Sequence, residues 1–151
     1  TVGNIGSETS RGYTVIGDTV NLASRLEQAN KFYGTRILVS EATRNLVGDT
    51  LVFREIDSLR VAGKLEPVRV YELLGLADEV GDATRKAVEV YEAGLARYRA
   101  QDWDAAVAAF RECLAIEPKD QPSQVMLARI EAFRQASPGL EWDGVWVAVS
   151  K

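Results

Sequence analysis

The sequence predicts an α+β fold, with helices over a mostly antiparallel sheet in its first half, passing into an all-α helical region. Three observations carry that prediction. Up to about residue 75, short β-branched runs alternate with helical stripes and Gly punctuation. Leu76 to Thr84 (LADEVGDAT) is acidic and polar and reads as a linker. Beyond it the apolar period becomes helical as far as Ala136. The chain therefore divides into 1–75, a linker 76–84, helices over 85–136 and a tail 137–151.

Within the first part, Val2 to Ser7 reads as a strand end running into a Gly-rich turn, and Glu8 to Gly12 as an exposed loop. Asp18 is an N-cap candidate for a helix reaching about Lys31. Leu22, Leu26, Ala29 and Tyr33 form its apolar stripe, with Asn21, Arg25 and Gln28 beside it. Gly34 stops this helix. Arg36 to Ser40 reads as a buried strand, and Glu41 to Val47 as a short helix ending at Gly48. Strands near Leu51 to Val61 and Val68 to Leu74 flank the turn Ala62 to Pro67, with Asp57 read as a strand-turn charge.

In the helical part, Gly94 and Ala106 permit close approach of two antiparallel helices, with Phe110 and Leu114 filling the groove between them. Trp103 falls at the turn between the two, and Pro118 punctuates the second. This spacing over Ala87 to Pro118 resembles a tetratricopeptide repeat (TPR). A single repeat cannot bury its own faces, so the third helix, Gln121 to Ala136, is expected to pack on the pair or the unit to lean on a neighbour. Trp103 and Phe110 read as core. The tail alternates Val145, Val147 and Val149 and reads as a short strand or extended segment.

Composition narrows the function. The 151 residues are 46% apolar and 26% charged, with a formal net charge of −4, so no general basic surface argues for nucleic acid. No apolar run approaches the roughly 20 residues of a membrane span, and nothing reads as a signal peptide. The single cysteine, Cys113, excludes an internal disulfide and fits a cytoplasmic location. With no histidine, the chain offers neither a His base nor a His metal site.

Candidate chemistry concentrates at Tyr13 to Gln28, YTVIGDTVNLASRLEQ. Asn21 and Arg25 lie one helical turn apart after Gly17-Asp18 and project from one face. An amide beside a planar guanidinium fork suits a phosphate-bearing substrate. By themselves these residues fit a solvated helix face better, since Asn and Arg are common on helices.

The run resembles the motif YTxIGDxVNxAxRLE of the class III adenylate/guanylate cyclases. The resemblance extends to VGNIGS upstream and to YGTRILVSEAT, FREIDSLRVAGK and EPVRVYELLG downstream. It implies that residues 1–75 are the second half of a ferredoxin-like cyclase domain. Asn21 would orient the ribose, Arg25 would contact the α-phosphate in the transition state, and Thr14 would contact the base and favour ATP. The family usually reads V-K-G where this chain has Val61-Ala62-Gly63, followed by Lys64. Lys64 is either a substitute contact to the terminal phosphates or a solvated turn residue.

The resemblance further implies two Mg²⁺ or Mn²⁺ ions whose Asp ligands would lie upstream of this chain. It implies a head-to-tail homodimer in which each site combines residues of both catalytic domains. The chain alone would then be inactive, and the TPR-like helices would align the dimer or dock a protein partner. WDGV in the tail resembles the C-terminal tails of some bacterial cyclases with a CHASE-type sensor, which would anchor the whole protein at the inner membrane. Ala62 also fits a degenerate cyclase-homology module that acts as a regulatory or scaffolding domain.

Overall fold

The computed structural model describes residues 24–60 and 67–147. The expectations for Val2 to Gly12, the cap Asp18, the turn residues Ala62 to Glu66, and Val149 lie outside them. So do Thr14, Asn21 and Lys64.

Helix α1 occupies 24–33 among the described residues and stops at Gly34, which adopts φ +71. The amides of Gly34 and Thr35 both return to the carbonyl of Asn30, an ending that a glycine in the left-handed region makes accessible. Strand β1 (Leu38–Ser40) leads directly into α2 (Glu41–Val47). Ser40 caps α2 by accepting from the Thr43 amide at 3.3 Å, and Gly48 closes it. A 3₁₀ turn (Gly48–Thr50) then delivers β2 (Leu51–Arg60), which pairs with β3 (Val68–Leu76).

The sheet order is β1-β3-β2-β4. The first two pairings are antiparallel, and β4 (Trp146–Val147) joins β2 in parallel through Leu59 and Arg60. The tail thus completes a mixed sheet. Between β2 and β3 the register shifts, because Glu55 opposes Tyr71 while Asp57 opposes Val70. Ile56 is the extra residue of a β-bulge. Such a bulge bends the strand and re-aims the side chains on either side of it. Here it buries four consecutive residues, Ile56 to Leu59.

Three helices follow: α3 (Asp82–Arg99), α4 (Trp103–Ile116) and α5 (Gln121–Gln135). The residues read as linker are observed as the end of β3, a turn, the cap Gly81 and the first turn of α3. Along α3, Ala87, Val90, Tyr91, Gly94, Leu95 and Tyr98 are buried, an i, i+3, i+4, i+7 stripe. At Gly94 α4 packs directly on the α3 backbone: a Cβ there would meet Phe110 Cε1 at 3.0 Å. Trp103 lies in the first turn of α4 rather than between helices, because Asp102 caps that helix by accepting from the Ala105 amide.

The helices do not form a separate core. Tyr33, Leu38, Ile56 and Val70 belong to the same buried cluster as Tyr91, Phe110, Met126 and Ile130. Tyr91 on α3 donates its hydroxyl to the Ile56 carbonyl at 2.9 Å, which occupies the backbone at the bulge. Tyr98, Trp103, Phe133, Trp142 and Trp146 form an aromatic cluster that binds the tail. Edge-to-face and stacked rings of this kind contribute about 0.5–1.5 kcal/mol per pair beyond area burial. Phe110 is core, as its spacing suggests, and Trp103 is half-buried and packs against that core.

Candidate functional site

Of the predicted site residues, Arg25 is among those described. It lies half-buried on α1. Eight residues further on, the same helix ends in Tyr33, 1% exposed, and here the molecule concentrates its buried polar chemistry.

The Tyr33 hydroxyl donates to Asp57 Oδ2 at 2.6 Å. Asp57, fully buried on β2, also accepts from Arg129 Nη1 at 2.6 Å. Arg129, on α5, reaches Tyr98 Oη at 3.2 Å and Tyr33 Oη at 3.4 Å. Its guanidinium lies 4.0 Å from the centroid of the Trp146 ring, a cation–π contact with a strand of the tail. Asp57 is therefore not a strand-turn charge. The bulge at Ile56 turns it inward, where a buried carboxylate needs a cation and further donors to remain ionised. Burial opposes the Arg129 charge, but Asp57 and the two tyrosines outweigh it and hold its pKa above the usual arginine range. Burial pushes the Tyr33 hydroxyl well above its ordinary pKa and raises Tyr98 to about 12. The two hydroxyls, the carboxylate and the guanidinium are all engaged with one another, so the cluster holds a fixed arrangement rather than offering an acid or base to a substrate.

A second cluster borders a cleft of about 230 Å³ between β2, β3, the first turns of α3 and the loop that leads into α5. Arg54 Nη2 lies 2.6 Å from Glu72 Oε1, and Nη1 donates to Asp120 Oδ2 at 3.0 Å. Asp120 is also the N-cap of α5, accepting from the Ser123 amide and hydroxyl. Burial would raise its pKa, but Arg54 and Ser123 outweigh that and hold it below the usual carboxylate range. Arg54 Nε is sealed from solvent without a hydrogen-bond partner; the Tyr91 ring, 4.7 Å from the guanidinium, offsets part of that cost. With two carboxylates on its fork, Arg54 does not present it to a phosphate.

Among the described residues, no group of three or more His, Cys, Asp or Glu is placed to hold a metal ion. Cys113 is buried, with its thiol pKa raised first by burial.

Proteins of known name place the chain in context. It is 35% identical over 132 residues to "Adenylate cyclase, terminal-differentiation specific" of Dictyostelium discoideum, covering 85% of this chain and 6% of that protein. The chain is similar to a segment of adenylate cyclases. "Adenylate cyclase 1" of Rhizobium meliloti (strain 1021) is 38% identical over 95 residues, 63% of this chain and 13% of that one. "Adenylate cyclase" of Anabaena cylindrica is 43% identical over 75 residues, 48% of this chain and 15% of that one. These similarities support a cyclase family, although the chain spans only 6–15% of the length of these relatives. Since they include a protein from Dictyostelium, they do not confine the chain to bacteria. A match of 132 residues cannot lie within residues 1–84, so the similarity to the Dictyostelium cyclase runs into the helices. No family model and no solved structure matches the chain. Among the described residues, no helix is long and apolar enough to cross a membrane.

Sequence reasoning missed Asp57, Arg129, Arg54 and Asp120 as partners. The available signal was local: Asp120 precedes Pro122 and Ser123 in the pattern of a capped helix start. Nothing in the spacing indicated its partner, 66 residues away.

Proposed function

We propose that this chain is part of an adenylate cyclase that converts ATP to cyclic AMP and pyrophosphate. The carrying observation is its similarity, over 85% of its length, to a protein named adenylate cyclase. The motif YTVIGDTVNLASRLEQ supports the finer assignment to the class III type.

In this reading the ribose 3′-hydroxyl attacks the α-phosphorus, the bond to the β-phosphate oxygen breaks, and pyrophosphate leaves. Asn21 orients the ribose, Thr14 contacts the adenine, Arg25 stabilises the charge developing on the α-phosphate, and Lys64 contacts the terminal phosphates. Such a site works mainly by positioning and electrostatic stabilisation. The two Mg²⁺ or Mn²⁺ ions implied by the resemblance would be held by acids outside this chain. Two catalytic domains would pair head to tail, so that Asn21 and Arg25 of one complete the site of the other. The TPR-like helices would align that pair or dock a protein partner, in a cytoplasmic setting. Ala62, where the family carries Lys, favours a second reading in which the module regulates or scaffolds without turning over ATP.

The test is cyclic AMP formation from ATP by the full-length protein, with Arg25→Ala beside the parent. We expect turnover to fall by about two orders of magnitude, the scale of losing one transition-state donor, with unchanged circular dichroism. Near-parental turnover contradicts the role of Arg25. A folded parent that makes no cyclic AMP favours the scaffold.

A further inference from the structure

We propose that α5 clamps the helix that carries Arg25, with Tyr33, Asp57 and Arg129 as positioning residues. The consequence for turnover rests on the cyclase reading; the clamp itself does not.

Arg25 and Tyr33 belong to one continuous helix and are separated by about 12 Å along its axis. A rod of that length transmits the orientation of one end to the other. Its C-terminal end is held by α5 at two places. At the first, the Tyr33 hydroxyl enters the buried set formed by Asp57 and Arg129. At the second, Gln121 packs on Gly34 so closely that a Cβ there would sit 2.8 Å from Gln121 Cβ. Gln121 Nε2 also donates to the Phe32 carbonyl at 3.5 Å, a group at the end of α1.

Gln121 and Arg129 are themselves two turns apart on α5, about 12 Å by helix geometry. Two attachments at that spacing fix a direction as well as a position. The tail closes the arrangement through Trp146 over Arg129. A buried ion pair is often no more stabilising than apolar residues of the same volume. What this one contributes beyond burial is a single permitted geometry, joining α1, β2 and α5 through hydrogen bonds of fixed direction.

The experiment is hydrogen exchange on the full-length protein, read by mass spectrometry for the peptide spanning 24–33 and for α3 and α4, with cyclic AMP turnover measured on the same samples. Tyr33→Phe keeps the ring and removes the hydroxyl. It should speed exchange in 24–33 on the order of tenfold, the scale of one lost hydrogen bond to a charged group, with α3 and α4 unchanged. It should lower kcat by a similar factor with KM for ATP nearly constant, because Arg25 is assigned to the transition state. Arg129→Met should do the same more strongly, and Arg129→Lys should recover part of the effect. Unchanged exchange in 24–33 overturns the clamp, as does acceleration spread evenly over α1, α3 and α4. A parent without cyclase activity whose variants still loosen 24–33 selectively removes the cyclase reading and leaves the clamp.

Discussion

Arg54 and Arg129 do the same job in opposite senses. Both tie β2 to α5, but one cation is on the strand and the other on the helix: Arg54 reaches Asp120, and Arg129 reaches Asp57. Their surroundings differ. The Asp57–Arg129 pair is closed off, with tyrosine hydroxyls and a tryptophan ring completing its shell. The Arg54 cluster opens on a cleft, and its carboxylates keep side-chain exposures of 15% for Glu72 and 10% for Asp120. In the sealed pair, loss of one partner strands a charge that water cannot reach. In the open cluster, water from the cleft can take the place of a missing partner. The sealed pair should therefore set geometry, and the open one should respond to solution conditions.

The largest effect should come from the sealed side. Arg129→Met leaves Asp57 with the Tyr33 hydroxyl as its remaining side-chain donor, and breaking such a buried pair costs about 3–5 kcal/mol. Urea unfolding of the chain, followed by the fluorescence of its three tryptophans, should report that loss. Arg54→Met should cost less, about 1–3 kcal/mol, because Asp120 keeps its bonds to Ser123. A loss equal to that of Arg129→Met would erase the distinction between the two clusters.

The smallest expected effect is the most specific to the open side. The pKa of Asp120 is held below its ordinary value in the folded chain. Its contribution to stability is therefore fully present above the unfolded pKa, about 3.9, and is lost as pH falls through the lower folded value. Removing Arg54 removes the main cause of that depression, so Arg54→Met should show a shallower acid-side loss of urea midpoint than the parent. An unchanged slope would mean that Ser123 alone holds Asp120.

Much of this architecture could be read along the chain, because its elements carry local signals. α2 begins at Glu41 and α5 at Gln121, as their caps indicate, and the α3 stripe follows directly from apolar period. α3 starts earlier than its apolar residues suggest, since Gly81 caps it and Asp82 opens its first turn, where an acid suits the helix dipole. The polar residues of the supposed linker thus serve as a helix start. Asp57 could not be placed, because strict alternation along β2 ignores the extra residue Ile56. Its ion pair joins residues 72 positions apart, a distance at which neither period nor cap gives any signal. Of the candidate site, Arg25 was legible as a motif residue, whereas what holds its helix was legible only in three dimensions.

A double-mutant cycle on the sealed pair tests the central claim most directly. Asp57→Asn, Arg129→Met and the combined variant should be compared with the parent by urea unfolding of the chain. If the two side chains act as one unit, the double variant should lose less than the sum of the single losses by about 1–3 kcal/mol. Losses that add to within about 0.5 kcal/mol would show that the pair does not couple strand to helix, and would contradict the account.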